Sequence, residues 1–136
     1  MFIFVNPNSS RQCARQLEQQ LIRSLEPAGI EIFHQLRSFV FRLKEKIHDI
    51  QLVAIVVLDG EVLGLIEAIR ADLDGLPLIF IVSPAVASEE TRLYRFFPRI
   101  VLRIKSDDTL IMNFIMAKMG VPAAGGTGGG GPQVSK

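Results

Sequence analysis

Residues 52–58 read LVAIVVL and are followed by Asp59-Gly60, and this stretch decides the fold class. The run is apolar at every position, which is typical of a strand that is buried on both faces of a parallel sheet. A second run of the same kind, LIFIV at residues 78–82, ends at Ser83-Pro84. Two such strands with a helical pattern between them predict an α/β architecture, with helices covering both faces of one sheet.

Three further strands are predicted outside these two: MFIFV at residues 1–5, the alternating edge-like stretch 30–36, and residues 100–104. Apolar residues at helical spacing predict five helices. The first carries Cys13, Leu17, Leu21 and Leu25, the second Phe39, Leu43, Ile47 and Ile50 after Ser38, and the third Val62, Ile66, Ile69 and Leu73. The fourth spans Ser88 to Phe97 with Leu93, Phe96 and Phe97 on its apolar side, and the last follows Asp107 or Asp108 with Ile111, Phe114, Ile115 and Met119.

This alternation predicts a flavodoxin-like (βα)5 three-layer sandwich with a parallel sheet of order 2-1-3-4-5. Residues 1–120 are expected to form one domain, with Gly120 and Pro122 ending the last helix. Residues 121–136 contain GGTGGGG, and we interpret them as a flexible tail because glycine repeats cannot build a core.

Composition excludes several classes of function. The 136 residues are 49% apolar and carry a formal net charge of +1, so nothing in the overall charge favours nucleic acid or an anionic membrane. The single cysteine, Cys13, allows no internal disulfide, and with His34 and His48 it is too little for a zinc cluster. The longest apolar run is far shorter than the about 20 residues of a membrane helix. We therefore expect a cytoplasmic protein.

Polar residues follow four of the predicted strands. Asn6 and Asn8 come after the first, Asp59 after the third, Ser83 after the fourth and Lys105 after the fifth. In a doubly wound sheet, ligands bind at the carboxyl ends of the strands, beside the point where the strand order reverses. The sequence therefore predicts a polar site at this edge.

An acid, a hydroxyl and a lysine at these strand ends resemble the phosphorylation site of bacterial response-regulator receiver domains. Ser83 and Lys105 are 22 residues apart, as is usual in that family, and the segment from IFIVSP to LRIKSDD resembles the second half of a receiver. The likeness extends over residues 1–119. It implies that Asp59 is the candidate phospho-acceptor, helped by Ser83, Lys105 and a Mg²⁺ ion that an acidic pair holds after the first strand.

The sequence departs from that pattern at the first strand, where Asn6 and Asn8 stand in place of the acidic pair. Amide oxygens carry no net charge, so Mg²⁺ binding is expected to be weak, and no other cofactor or metal is expected. The loop after Asp59 is also short, and Pro84 follows Ser83 where the family has a small residue. We interpret the chain as a degenerate receiver, or pseudo-receiver, of a two-component type system, and not as an enzyme.

Three functions remain open at this point. The first is a module that signals by binding a protein, a histidine kinase, an output domain or a second copy, through Arg92, Tyr94, Arg95, Phe97 and Arg103. The second is a working response regulator that is phosphorylated on Asp59. The third and weakest is a fragment related to diacylglycerol or nicotinamide-nucleotide kinases, which FVNPNSS at residues 4–10 and Asp59-Gly60 resemble.

Overall fold

The computed structural model describes residues 1–25, 29–45 and 49–121. Five parallel strands form one sheet in the order β2-β1-β3-β4-β5. They are β1 (Phe2–Val5), β2 (Ile30–Phe33), β3 (Leu52–Val57), β4 (Leu78–Val82) and β5 (Ile100–Arg103). The predicted fold class and strand order are confirmed, with the alternating strand β2 at one edge. The central strands β1, β3 and β4 are buried at every position, as their unbroken apolar runs require.

Helices cover both faces of the sheet. They are α1 (Gln12–Leu25), α2 (Leu36–Leu43), α3 (Gly60–Ala68), α4 (Arg70–Leu73), a 3₁₀ helix (Pro84–Glu89), α5 (Glu90–Tyr94) and α6 (Asp108–Lys118). Alternate residues of β1 face opposite cores, because side chains alternate along a strand. Phe2 and Phe4 pack with α1 and α6, whereas Ile3 and Val5 pack with the helices from α2 to α5.

Several predicted boundaries are wrong by a few residues. Strand β2 ends at Phe33, and α2 begins at Leu36 rather than after Ser38. The stripe of α2 holds for Phe39 and Leu43, whereas Ile47 lies outside the described residues and Ile50 follows the helix. Cys13 is half-buried, and Leu17, Leu21 and Leu25 form the buried stripe of α1 together with Ala14.

The predicted third helix is divided in two. The chain tightens at Ile69, whose N–H donates to the carbonyl of Ile66, three residues back, at 3.1 Å. This turn separates α3 from α4 and leaves Ile69 half-buried while Leu73 stays in the core. The spacing of the apolar residues continues across the break, so their periodicity does not reveal it.

The predicted fourth helix begins earlier and ends sooner than expected. The Ser83 hydroxyl caps a 3₁₀ helix that begins at Pro84, because proline fits the first helical position. Helix α5 then ends at Tyr94, so Phe96 is half-buried and Phe97 is exposed. Phe97 was expected on the apolar side of that helix, and this prediction was wrong.

Gly120 ends α6 as predicted. Its φ of +71° allows the Gly120 N–H to reach the carbonyl of Ala117 and the Val121 N–H to reach that of Met116, which is a Schellman motif. Val121 then packs against the core. The remainder of the predicted glycine-rich tail, residues 122–136, lies outside the described residues.

Candidate functional site

Asp59 is the N-cap of α3. One oxygen of its carboxylate, Oδ1, accepts the backbone N–H of Val62 at 2.9 Å, and the other, Oδ2, accepts the side-chain amide of Asn8 at 3.3 Å. Helix α3 begins at the next residue, Gly60, so no loop separates Asp59 from the helix. Both carboxylate oxygens therefore contribute to local structure. One holds the start of α3, and the other ties the end of β1 to the end of β3.

Asn6 lies at the end of β1 and is completely buried. Its side-chain N–H₂ donates to Glu18 Oε1 at 3.1 Å and to the carbonyl of Ala14 at 3.4 Å, both on α1. The Glu18 carboxylate also bonds His34 Nε2 at 3.0 Å. These bonds direct the amide group of Asn6 toward α1, and they join the ends of β1 and β2 to that helix.

Two buried amide oxygens at this edge have no hydrogen-bond partner among the described residues: Asn6 Oδ1 and Asn8 Oδ1. Oxygens of this kind can ligate a hard cation such as Mg²⁺. The neighbouring carboxylate of Asp59 is already used twice, and no group of three or more His, Cys, Asp or Glu residues that could hold a metal occurs in residues 1–25, 29–45 and 49–121. The fit to Mg²⁺ is therefore partial, with neutral oxygens present and the acidic pair missing.

Ser83 lies at the end of β4 and is buried. Its hydroxyl donates to the carbonyl of Leu58 at 2.8 Å and accepts the N–H of Ala85 at 3.2 Å. Leu58 precedes Asp59, so the structure places Ser83 beside the predicted site. Its hydroxyl proton fixes the end of β4 to the residue that follows β3, and its hydroxyl oxygen accepts the bond that starts the 3₁₀ helix.

Lys105 lies in the turn between β5 and α6 with a φ of +74°. Its backbone N–H donates to Asp108 Oδ1 at 2.6 Å, and its ammonium group donates to Gln16 Oε1 on α1 at 3.3 Å. In the part of the chain that the structure describes, no ion pair joins Lys105 to Asp59. The ammonium group of Lys105 therefore contacts α1.

The predicted interaction surface divides into two kinds of residue. Arg92 is held by Glu67 on α3, with its Nε 2.9 Å from Glu67 Oε2, and by Glu89. This ion pair lowers the pKa of Glu67 and raises that of Arg92, mainly through their hydrogen bonds. Arg103 is similarly held by Glu90 at 2.7 Å. Both arginines therefore fasten α5 to its neighbours, α3 and β5.

Tyr94, Arg95 and Phe97 make up the other kind and face solvent. Phe97 is 88% exposed and has a φ of +52°, and its N–H donates to the carbonyl of Tyr94 at 3.0 Å. This is the residue that reverses the chain after α5, a position where glycine is usual because a side chain strains the left-handed backbone. We call Tyr94, Arg95 and Phe97 the α5 surface.

A solved structure is similar to this chain over almost its whole length. It is the crystal structure of a response regulator receiver protein from Burkholderia phymatum, with a TM-score of 0.61 and 22% sequence identity. The alignment covers 90% of this chain and 97% of that one. This chain has a receiver fold. No family model and no curated protein matches the sequence.

The receiver fold brings only part of the expected site together. Asn8, Asp59 and Ser83 meet at the carboxyl edge, whereas Asn6 turns to Glu18 and Lys105 to Gln16. Sequence reasoning missed Glu18, His34 and Gln16, since nothing in their spacing marks them as neighbours of the strand ends. Among the described residues, no helix is long and apolar enough to cross a membrane.

Proposed function

We propose that this chain is a receiver-like signalling module that acts by binding a protein partner, with a degenerate phosphorylation site. The observation that carries the proposal is the position of Asp59 as the N-cap of α3, with each carboxylate oxygen already accepting a hydrogen bond. A phospho-acceptor must present a carboxylate oxygen to a donor, with cations nearby to offset the charge of the transferring group.

Phosphorylation of Asp59 would disturb what this carboxylate stabilises. Loss of an N-cap costs about 1 kcal/mol, and the bond from Asn8 would also be put at risk. The cation that the family places beside the aspartate is Lys105, which here bonds Gln16. An acidic pair for Mg²⁺ is replaced by Asn6 and Asn8. Each of these features disfavours phosphoryl transfer to Asp59.

The α5 surface supports the binding half of the proposal. Tyr94 and Phe97 are large exposed side chains on either side of Arg95, and aromatic residues with arginine are the types most enriched at the centres of protein interfaces. Arg92 and Arg103 form ion pairs that hold α5 to α3 and to β5. The face that includes α5, β5 and α6 is also the usual output and dimer surface of the receivers that the sequence resembles.

Incubation with acetyl phosphate and Mg²⁺, read by intact mass, tests the proposal. We expect no phosphoryl group on the wild-type chain under conditions that label an ordinary receiver in the same reaction. Asp59→Asn and Asp72→Asn, a substitution at an exposed aspartate of α4, are the matched variants. One phosphoryl group on the wild type and on Asp72→Asn, but not on Asp59→Asn, would establish the working phospho-acceptor instead.

The α5 surface is tested with any protein that a library screen recovers as a binder. Arg95→Glu combined with Phe97→Ala should abolish that binding. Arg11→Glu combined with Phe41→Ala changes the same two residue types at exposed positions outside the face of α5, β5 and α6, and should preserve it. Equal binding by both double variants would show that the α5 surface is not the interface.

A further inference from the structure

A groove of about 650 Å³ lies between α2 and α3, on a part of the molecule that the proposed function does not use. Most of its lining is apolar and is contributed by Leu36, Val40 and Phe41 on one side and by Leu65, Ala68 and Ile69 on the other. Phe41 is 73% exposed and Leu65 is 51% exposed. Adjacent, exposed apolar side chains are a feature of interaction sites, because contact between apolar surface and water is unfavourable.

The groove is positively charged along its polar edge. His34, Arg37 and Lys44 contribute to its lining, and none of the described residues that line it is an aspartate or a glutamate. Arg37 and Lys44 form no ion pair with any residue in the described ranges. An occupant that covered the apolar groove would bring its own flanking groups against these two cations. Acidic groups would gain from that approach, and basic groups would be repelled.

This charge argues against two occupants that the chain itself could supply. A symmetric contact between two copies would bring Arg37 and Lys44 of one copy toward those of the other, which like charge disfavours. The C-terminal residues 122–136 contain no acidic residue, and Val134 is their only large apolar one. Such a segment has neither the apolar side chains to fill the groove nor the charge to match its edge.

We propose that the α2–α3 groove binds a short amphipathic helix of a partner protein, with acidic residues flanking its apolar face. Helix α2 has eight residues and is therefore about 12 Å long. Apolar side chains at positions i, i+3, i+4 and i+7 of a helix extend over about 10 Å, so one such face matches the length of the groove. The proposal does not rest on the α5 surface or on the state of Asp59.

Fluorescence anisotropy with labelled peptides tests this groove. The probe is a helical peptide of about 16 residues with leucine at i, i+3, i+4 and i+7 and glutamate on both flanks. A second peptide has lysine in place of every glutamate, and a third has the residues of the first in scrambled order. The first peptide should bind about tenfold more tightly than either of the others.

Two matched pairs of variants locate the binding. Leu65→Asp should abolish it, while Leu110→Asp, at a leucine that is 58% exposed on α6, should leave it unchanged. Arg37→Glu combined with Lys44→Glu should reverse the preference in favour of the lysine peptide. Arg11→Glu combined with Arg15→Glu, an equal change of charge on the other layer, should preserve the original preference.

Three results would overturn the proposal. The first is equal binding of the glutamate, lysine and scrambled peptides, and the second is equal loss in Leu65→Asp and Leu110→Asp. The third is a wild-type dimer in sedimentation velocity that Leu65→Asp converts to a monomer, because the occupant would then be a second copy. None of these results bears on acetyl phosphate labelling, so the groove and the proposed function fail separately.

Discussion

The carboxyl edge of the sheet and the α5 surface differ in how they use their polar and aromatic groups. At the carboxyl edge, Asn8, Asp59 and Ser83 are bonded to one another or to adjacent backbone. At the α5 surface, Tyr94 and Phe97 extend into solvent, and Phe97 does so from a left-handed backbone. The residues that resemble a phosphorylation site form hydrogen bonds within the fold, whereas the side chains of the α5 surface are exposed to solvent.

This difference separates the residue types at the strand ends from the roles that the structure gives them. The strand-end residues that resemble those of receivers act here as a helix cap and as links between strands. The exposed side chain of Phe97 contributes little to the stability of the chain, and its left-handed backbone costs conformational free energy. The comparison can be tested by changing each region and asking whether the fold responds.

The largest effect is expected from Asn6→Asp, which places an acid at the position where ordinary receivers have one. The new carboxylate would be completely buried and would face Glu18, which now accepts a hydrogen bond from the Asn6 amide. A buried charge without a partner costs about 3 kcal/mol or more. Urea unfolding at neutral pH should show this loss, and added Mg²⁺ should not restore it.

Asn113→Asp is the control for that change. Asn113 is exposed on α6, so the same substitution there should alter the free energy of unfolding by no more than about 0.5 kcal/mol. Full recovery of Asn6→Asp on addition of Mg²⁺ would contradict the comparison. It would mean that the carboxyl edge accepts a cation once one acid is present.

A smaller effect of opposite sign is expected at the α5 surface. Phe97→Gly should raise the free energy of unfolding by about 0.5 to 1 kcal/mol, because glycine adopts a positive φ without strain. Phe41→Gly is the matched control, since Phe41 is also exposed but lies within helix α2. Glycine in a helix is unfavourable, so that variant should be less stable. Destabilisation by Phe97→Gly would show that the side chain supports the fold.

The smallest effect is expected from the ion pair that holds α5 to α3. The folded-state pKa of Glu67 is lowered, mainly by the hydrogen bond from Arg92. A lowered pKa stabilises the fold above the ordinary glutamate value of about 4.3, and this stabilisation is lost as the pH falls through the lower value. Glu67→Gln should therefore be less stable than the wild type near neutral pH, and the difference should shrink below about pH 4.

Arg92→Gln removes the same interaction from the other side. Its unfolding, followed against pH in urea, should lack the same part of the pH dependence, and adding Glu67→Gln to Arg92→Gln should change the stability no further. A difference between the wild type and Glu67→Gln that stays constant from neutral to acidic pH would contradict this assignment. High salt should reduce the effect, since both side chains are partly exposed.

The sequence predicted the sheet better than the helices. Strands such as 52–57 and 78–82 are apolar at every position, which is typical of short strands that are buried on both faces of a parallel sheet. The break at Ile69 and the early end of α5 leave the spacing of apolar residues intact, so periodicity could not reveal them. The same periodicity placed Phe97 on the apolar side of that helix, whereas the helix ends at Tyr94 and the side chain of Phe97 is exposed.

The sequence predicted at which edge of the sheet the candidate residues lie, but not the hydrogen bonds that they form there. The order of the strands fixes which strand ends are neighbours, so Asn8, Asp59 and Ser83 were rightly expected at one edge. Where each side chain points depends on partners far along the chain. Lys105 bonds Gln16, which is 89 residues away, and Asn6 bonds Glu18 on the following helix.

The sequence by itself determined the fold class, the strand order and the edge at which polar residues collect, because burial of apolar strands and right-handed crossovers allow few arrangements. Only the tertiary structure decided that Asp59 caps α3, that Asn6 turns to α1 and that an apolar groove opens between α2 and α3. The physical reason is that periodicity reports which face of an element is buried. Hydrogen-bond partners and exposed surfaces depend on distances between elements, which a linear pattern does not contain.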